Sequence, residues 1–374
     1  MTLTQRGLNR ATLARQLLLR REAVGAVEGL RRVMALQAQE APSPYLALWN
    51  RVEGFDPNDL DLAFASQDVV KTQLLRVTLH AVAADDYPSF HEAMQGTLRA
   101  ARLYDGRFRS EGVSIDDTEA LVPDLLEFAA TPRRNDEVEA WLEARFGGPK
   151  PRLWWAMRQY GPFVHATGGG AWSFGTRPTY VGAFDQGRPG DPAASARYLV
   201  RRYLEAFGPA TAADIAGFST IYRPPVKDAI RELGDELVTL QGPAGPLLDV
   251  PGAPLPDEDT PAPPRLLPMC DSVLLAYKDR SRIIPEAYRR QVIRSNGDVL
   301  PTLLVDGYVA GVWRPVDGVI EATAFEPLTD DAWAGLETEA RALLAFLAGR
   351  DPAIYRRYWR WWADLPAADV RRLG

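Results

Sequence analysis

The chain has 374 residues, enough for more than one hydrophobic core, and 46% hydrophobic with 25% charged residues is a folded, soluble composition. Its single cysteine, Cys270, excludes an internal disulfide and, with three histidines, leaves no zinc spacing, so no metal or other cofactor is expected. A net charge of −6 excludes a protein that coats a polyanion by charge alone. Residues 1–32 nevertheless carry seven arginines against two glutamates, and residues 350–372 carry six arginines against three aspartates. Those two clusters either frame a groove or reflect an arginine-rich composition.

In chain order, apolar periodicity predicts helices over 10–19 and 25–36, and a third over 56–64 capped by Asp56 or Asn58. The second helix is expected to stop near Gln37-Ala38-Gln39, because Pro42 and Pro44 push Ala41 and Ser43 out of the α region. On a helix, residues two apart point about 200° away from each other, whereas in extended chain they share a face. Gln37 and Gln39 therefore read in two ways, as solvated glutamines at a helix end or as two amides converging on one site. Residues 69–82 are rich in Val, Thr and Leu and read as a strand covered on both faces, with His80 inside it. Helices are expected over 89–103, 117–128, 135–146 and 153–160, followed by strands over 163–166 and 171–174 around the Gly168–Gly170 turn.

The same order returns with helices over 194–207, 211–218 and 225–233 and a hairpin of 236–240 with 247–250. Residues 253–264 hold five prolines, lack apolar periodicity and read as a linker. A small β domain is expected after it: strands over 299–305, 308–314 and 318–325, turns at Asp306-Gly307 and Asp317-Gly318, and a helix over 330–348. In the tail, Tyr355, Tyr358, Trp359 and Trp362 alternate with arginines; they stack on nucleic acid or, as one helical stripe, pack on the body. The fold class is thus α+β: three tandem helix-and-hairpin units of winged-helix order (1–105, 106–190, 191–252), a linker, and a C-terminal β-meander or barrel with a helix (265–374).

LQAQ with a proline segment and YLALW (residues 36–49) resembles the signature of the AlkZ/YcaQ type of winged-helix DNA glycosylases. So, in order, do LNRATLARQLLLR (8–20), LRVTLHAVAADDY (75–87), RRYLEAFGPATAADIAGFS (201–219), LLPMCDSVLLAYKDRSRIIP (266–285) and LVDGYVAGVWR (304–314). The resemblance implies a monofunctional DNA glycosylase that releases bulky or cross-linked alkylpurines, with Gln37 and Gln39 catalytic and duplex DNA as the partner. It also implies DNA contacts from Arg31, Arg32, Arg51, Arg76, His80, Lys278, Arg280, Arg282 and Tyr308, the last on a hairpin tip suited to wedging into a duplex. Val77 stands where the family usually has glycine, and Cys270 where an aromatic residue is commoner; Cys270 reads as buried filler. A cytoplasmic monomer without a membrane segment is expected.

Two amides suit one kind of leaving group. A guanine alkylated at N7 carries a positive charge and departs neutral, so no strong acid is needed; a carbonyl that accepts a hydrogen bond from water can hold that water below the sugar. Glu40 is the nearest carboxylate, but parity places it on the other face of an extended chain. No Gly-rich phosphate loop and no G-x-S-x-G occurs. A winged-helix regulator without catalysis is the rival reading.

Overall fold

The computed structural model describes residues 2–175, 177–183, 190–350 and 354–374. Helix α1 (Gln5–Arg15) begins earlier than its apolar period suggests because the Thr4 side chain accepts from Gly7 N, and it closes where Leu17 takes a left-handed φ of 54°. Helix α2 (Ala26–Arg32) ends well before the glutamines, since Met34 turns left-handed at φ 72°. The apolar residues 33–36 thus continue the core as descending chain rather than as a helical stripe. They lead into β1 (Leu36–Gln37), then α3 (Ser43–Trp49) and α4 (Pro57–Ala65), whose first turn is capped by Asp56. Sequence reasoning took Pro42 and Pro44 only as breakers and missed α3. Pro44 occupies the first turn of that helix, where no backbone donor is required.

The expected strand over 69–82 is a hairpin: β2 (Val69–Gln73), a 3-10 turn over Leu75–Val77, and β3 (Leu79–Ala83). These strands form an antiparallel sheet in the order β1-β3-β2, with Gln37 opposite His80 and His80 opposite Thr72. Side chains at those three positions share one face. Next come α5 (Tyr87–Leu103), α6 (Gly106–Arg109), α7 (Ile115–Ala120), α8 (Val122–Phe128), β4 (Arg133–Arg134), α9 (Asn135–Phe146) and α10 (Pro151–Tyr160). Strand β5 (Phe163–Ala166) pairs with β6 (Thr179–Gly182), not with the expected strand over 171–174; those residues turn back so that Trp172 and Phe174 pack beside Tyr45 and Phe64. After α11 (Pro192–Phe207), α12 (Ala212–Ser219) and α13 (Arg223–Leu233), β7 (Val238–Gly242) and β8 (Gly245–Asp249) form the third hairpin. The buried faces of α5, α10 and α11 share one core, in which Phe90, Trp154, Leu199 and Tyr203 are nearly inaccessible.

Strands β9 (Arg265–Leu267), β10 (Thr302–Val305), β11 (Tyr308–Val316) and β12 (Val319–Ala324) are antiparallel, with α14 (Arg289–Val292) between the first two. Helix α15 (Asp330–Leu347), capped by Thr329, precedes β13 (Asp369–Leu373), and the sheet order is β13-β12-β11-β10-β9. The two edge strands were not foreseen. They flank the Pro-rich segment and the tail, where composition reads as irregular.

That Pro-rich segment is not a free spacer. Arg6 donates through Nε to Glu258 O (2.9 Å), Arg10 through Nε to Thr260 O (2.7 Å), and Arg15 through Nε to Pro254 O (3.4 Å), which fastens it along α1. Nor is the Asp306-Gly307 tip free to wedge into a duplex. Arg6 and Arg10 bind the Asp306 carboxylate, Asn9 donates to Gly307 O (2.8 Å), and a Cβ on Gly307 (φ 81°) would lie within 2.8 Å of Asn9, Leu13 and Arg10. Tyr308 sits half-buried beside the same arginines. Asp306→Asn keeps a residue that tolerates the left-handed φ of 48° but removes the charge. It is expected to lower stability to urea by about 1–3 kcal/mol and to leave base release unchanged. Loss of base release at full stability would return the tip to the DNA surface.

Candidate active site

Gln37 is held from three sides. Its backbone lies in β1 against His80, its side chain is nearly buried, and its Oε1 accepts from Arg76 Nη2 at 2.7 Å. Because a guanidinium only donates, the contact also fixes the amide orientation: oxygen toward Arg76, Nε2 away from it. The Gln37 Nε2 makes no hydrogen bond among the described residues and is not sealed from solvent. Two residues on, the chain bends and Gln39 is exposed, its amide likewise without a hydrogen bond among the described residues. The extended geometry expected for the pair therefore holds at Gln37, while a turn carries Gln39 outward.

Behind Arg76 stands His80, fully buried. Its Nδ1 lies 3.0 Å from Thr78 O, so Nδ1 carries the proton and Nε2, 3.2 Å from Arg76 Nη2, is the acceptor. Burial first, and then the Arg76 charge, push the imidazole down to about 3, so it is neutral at physiological pH. Burial likewise lowers Arg76 to about 10, and its guanidinium lies over the Phe218 ring of α12 at 4.6 Å. Arg76 and Val77 occupy left-handed φ values of 54° and 58°, which glycine adopts freely and a β-branched residue does not. The hairpin keeps the conformation that a glycine at 77 would favour, with valine in its place.

The other expected DNA contacts divide. Arg51 is buried and bidentate to Asp271 (2.7 and 2.8 Å), and Arg282 is buried, donating to Pro209 O at 2.9 Å over the Tyr277 ring. These two and His80 are buried, and Tyr308 is half-buried beside Arg6 and Arg10 of α1; sequence position alone does not reveal depth. Arg31 pairs with Asp85 and Arg32 with Glu28, both half exposed. Lys278 is exposed, and Arg280 is half-buried, close enough for its charge to act on Arg76; neither has a carboxylate partner among the described residues. All seven arginines of residues 1–32 are paired with carboxylates, and among them Arg31 and Arg32 remain part-exposed beside their partners.

Two features escaped the sequence. Glu40 is tied down by the tail: Tyr358 Oη donates to its Oε1 at 2.7 Å and Arg357 pairs with the same carboxylate, so the nearest anion is diverted from the amides. The contact joins residues more than 300 positions apart, and only the aromatic stripe of the tail hinted at packing; Tyr355 and Tyr358 are buried, as that alternative requires. Lys71 is buried with its ammonium 4.3 Å from the Phe174 ring centre, and burial lowers it to about 8. Its neighbours in sequence gave no sign of that environment. Cys270 is buried, as expected, and burial raises its thiol to about 11. Among the described residues no cluster of His, Cys, Asp and Glu is arranged to hold a metal, and no helix is long and apolar enough to cross a membrane.

A curated relative, an interstrand DNA cross-link repair glycosylase of Streptomyces sahachiroi, is 26% identical over 335 residues, covering 84% of this chain and 88% of the relative. The solved structure of the DNA glycosylase AlkZ from Streptomyces sahachiroi superposes with a TM-score of 0.79 at 21% identity, over 94% of this chain and 98% of that one, which establishes the shared fold. The model of the family described as DNA glycosylase AlkZ-like matches residues 30–346, from the helix before the glutamines to the last turn of α15. The chain belongs to the AlkZ-like DNA glycosylase family.

Proposed function

We propose that this protein is a monofunctional DNA glycosylase that hydrolyses the N-glycosidic bond of bulky or cross-linked N-alkylpurines, alkylguanine above all, in duplex DNA. Gln37 and Gln39 are its catalytic residues. The observation that carries the reading is the pair of amides itself: one aimed by Arg76, the other exposed two residues on, with the neighbouring carboxylate Glu40 already engaged. The two amides offer neutral dipoles, and no free carboxylate stands beside them among the described residues. The site therefore suits a leaving group that needs no protonation. With N7-alkylguanine, the C1′–N9 bond breaks and its electron pair cancels the positive charge of the purine. Water oxygen bonds to C1′ and its proton passes to solvent.

The S. sahachiroi relative is named for cross-link repair, which supports bulky or cross-linking adducts as the substrate class; the setting in this reading is self-resistance to a DNA-alkylating natural product. In this reading the three helix-and-hairpin groups are winged-helix units, bounded at 105, 190 and 252, and residues 265–374 form the C-terminal β domain. Lys278 and Arg280 supply phosphate contacts beside the site, with Arg31 and Arg32 further out. The protein works as a monomer in the cytoplasm.

The test is abasic-site formation on duplexes carrying a defined bulky N7-alkylguanine, scored by alkaline cleavage, beside matched duplexes carrying uracil. Release of the alkylguanine with uracil retained is the expected result. Duplex binding without release from either substrate would favour a winged-helix regulator.

A further inference from the structure

The contacts of Arg76 give the two amides different tasks. The guanidinium lies against the ring face of Phe218, reaches the lone pair of His80 Nε2 at 3.2 Å and donates to Gln37 Oε1 at 2.7 Å. His80 in turn is locked in one tautomer by Thr78 O, and none of these partners is free to turn, because His80 and Phe218 are buried. The backbone that carries Arg76 is left-handed at two successive non-glycine residues, a conformation that persists only where its surroundings over-determine it. A buried Nη1 without a hydrogen-bond partner remains on the same guanidinium. A group held this firmly, at this cost, and touching no carboxylate is doing something other than neutralising charge.

We propose that Arg76, braced by His80 and Phe218, is a positioning residue for base excision: it pins the Gln37 carbonyl so that the Gln37 N–H, not its oxygen, meets the attacking water. The inference rests on the catalytic assignment of Gln37 and Gln39 above and deepens it. With Gln37 donating to one lone pair of the water and the unpartnered Gln39 carbonyl accepting a hydrogen bond from it, the remaining lone pair is aimed, and Gln37 is the fixed point of the two. Without Arg76, the Gln37 amide can rotate and present either end, and half of the grip is lost. Neither Arg76 nor His80 touches DNA or the reacting atoms. This replaces the phosphate-binding role expected from their place in the sequence.

A double-mutant cycle separates this role from a structural one or a DNA contact. Single-turnover release of N7-alkylguanine and duplex affinity are measured for the parent, Arg76→Met, Gln37→Ala and the double variant. Arg76→Met is expected to slow release by about tenfold to a hundredfold, the usual effect of removing a group that orients a working side chain. Affinity should stay within about twofold, since no phosphate contact is lost. In the Gln37→Ala background the same change should cost nothing further, because the amide it aims is gone. Equal losses in both backgrounds, or parental release by Arg76→Met, would overturn the proposal. If Gln37→Ala alone releases base at the parental rate, the catalytic assignment itself fails, a result distinct from an additive cycle. Should Arg76→Met fail to fold, His80→Leu removes only the brace. It is expected to slow release in the parent and not in Gln37→Ala, and additivity there would count equally against the proposal.

Discussion

Gln39→Ala is expected to slow excision of a cationic alkylguanine by about ten- to thousandfold, equivalent to about 1.4–4 kcal/mol of transition-state stabilisation. Duplex affinity should hardly change. Gln39 is exposed and makes no hydrogen bond within the described protein, so its removal leaves no cavity and no orphaned partner; the loss falls on the reaction alone. Gln37→Ala should fall in the same range but with some loss of stability, because it strips Arg76 of its acceptor. The double change should cost less than the sum, since both amides grip one water. Single-turnover kinetics with defined duplexes measure all three. Parental rates in both single variants would remove the amides from the mechanism.

The largest effect on stability is expected at a residue that the sequence placed among DNA contacts. Arg51 and Asp271 are both inaccessible, joined by two hydrogen bonds of 2.7 and 2.8 Å, and Arg51 also donates to Ala47 O at 3.0 Å. The pair ties the end of α3 to the segment after β9, and hence the glutamine-bearing region to the C-terminal sheet. Arg51→Ala or Asp271→Ala strands a buried charge and is expected to cost about 3–5 kcal/mol in urea unfolding. Replacing both, with Arg51→Met and Asp271→Leu, should recover much of that loss by substituting an apolar contact for the ion pair. A loss below about 1 kcal/mol in either single variant would mean that water reaches the pair. Base release per folded molecule should be the same throughout.

Much of this was legible from local signals. Residues 163–166 and 135–146 and the Asp56 cap of α4 stand where periodicity and capping chemistry put them. The Gln37-x-Gln39 pair was legible as a motif, but its surroundings were not. Arg76 and His80 are recognisable as residues, yet their depth depends on α12 packing against the 75–77 turn, a contact across more than a hundred residues that brings the Phe218 ring under Arg76. The same holds for the arginines of residues 1–32. Composition shows an excess of positive charge, and only the fold shows Asp249, Asp306 and Glu339 arriving from far downstream to meet it. Charge counted along a sequence is blind to partners brought in by topology.

That last arrangement bears on how the chain is made. The partners of α1 lie at Asp249, Pro254, Glu258, Thr260 and Asp306, and Arg10 waits for a residue 296 positions later. At roughly 5–20 residues per second on a ribosome, the contacts of α1 with Asp306 stay unmade for about 15–60 seconds after the helix emerges, well after α11 and its Leu204 carbonyl have arrived. The apolar cluster that holds Leu13 stays incomplete until β10 and its turn bring Leu304 and Val309. Any product that stops short of Asp306 leaves that cluster permanently open, the kind of surface that proteases and chaperones recognise. The first helix thus reports on what lies downstream of it, sealed only once the chain has been made through Asp306.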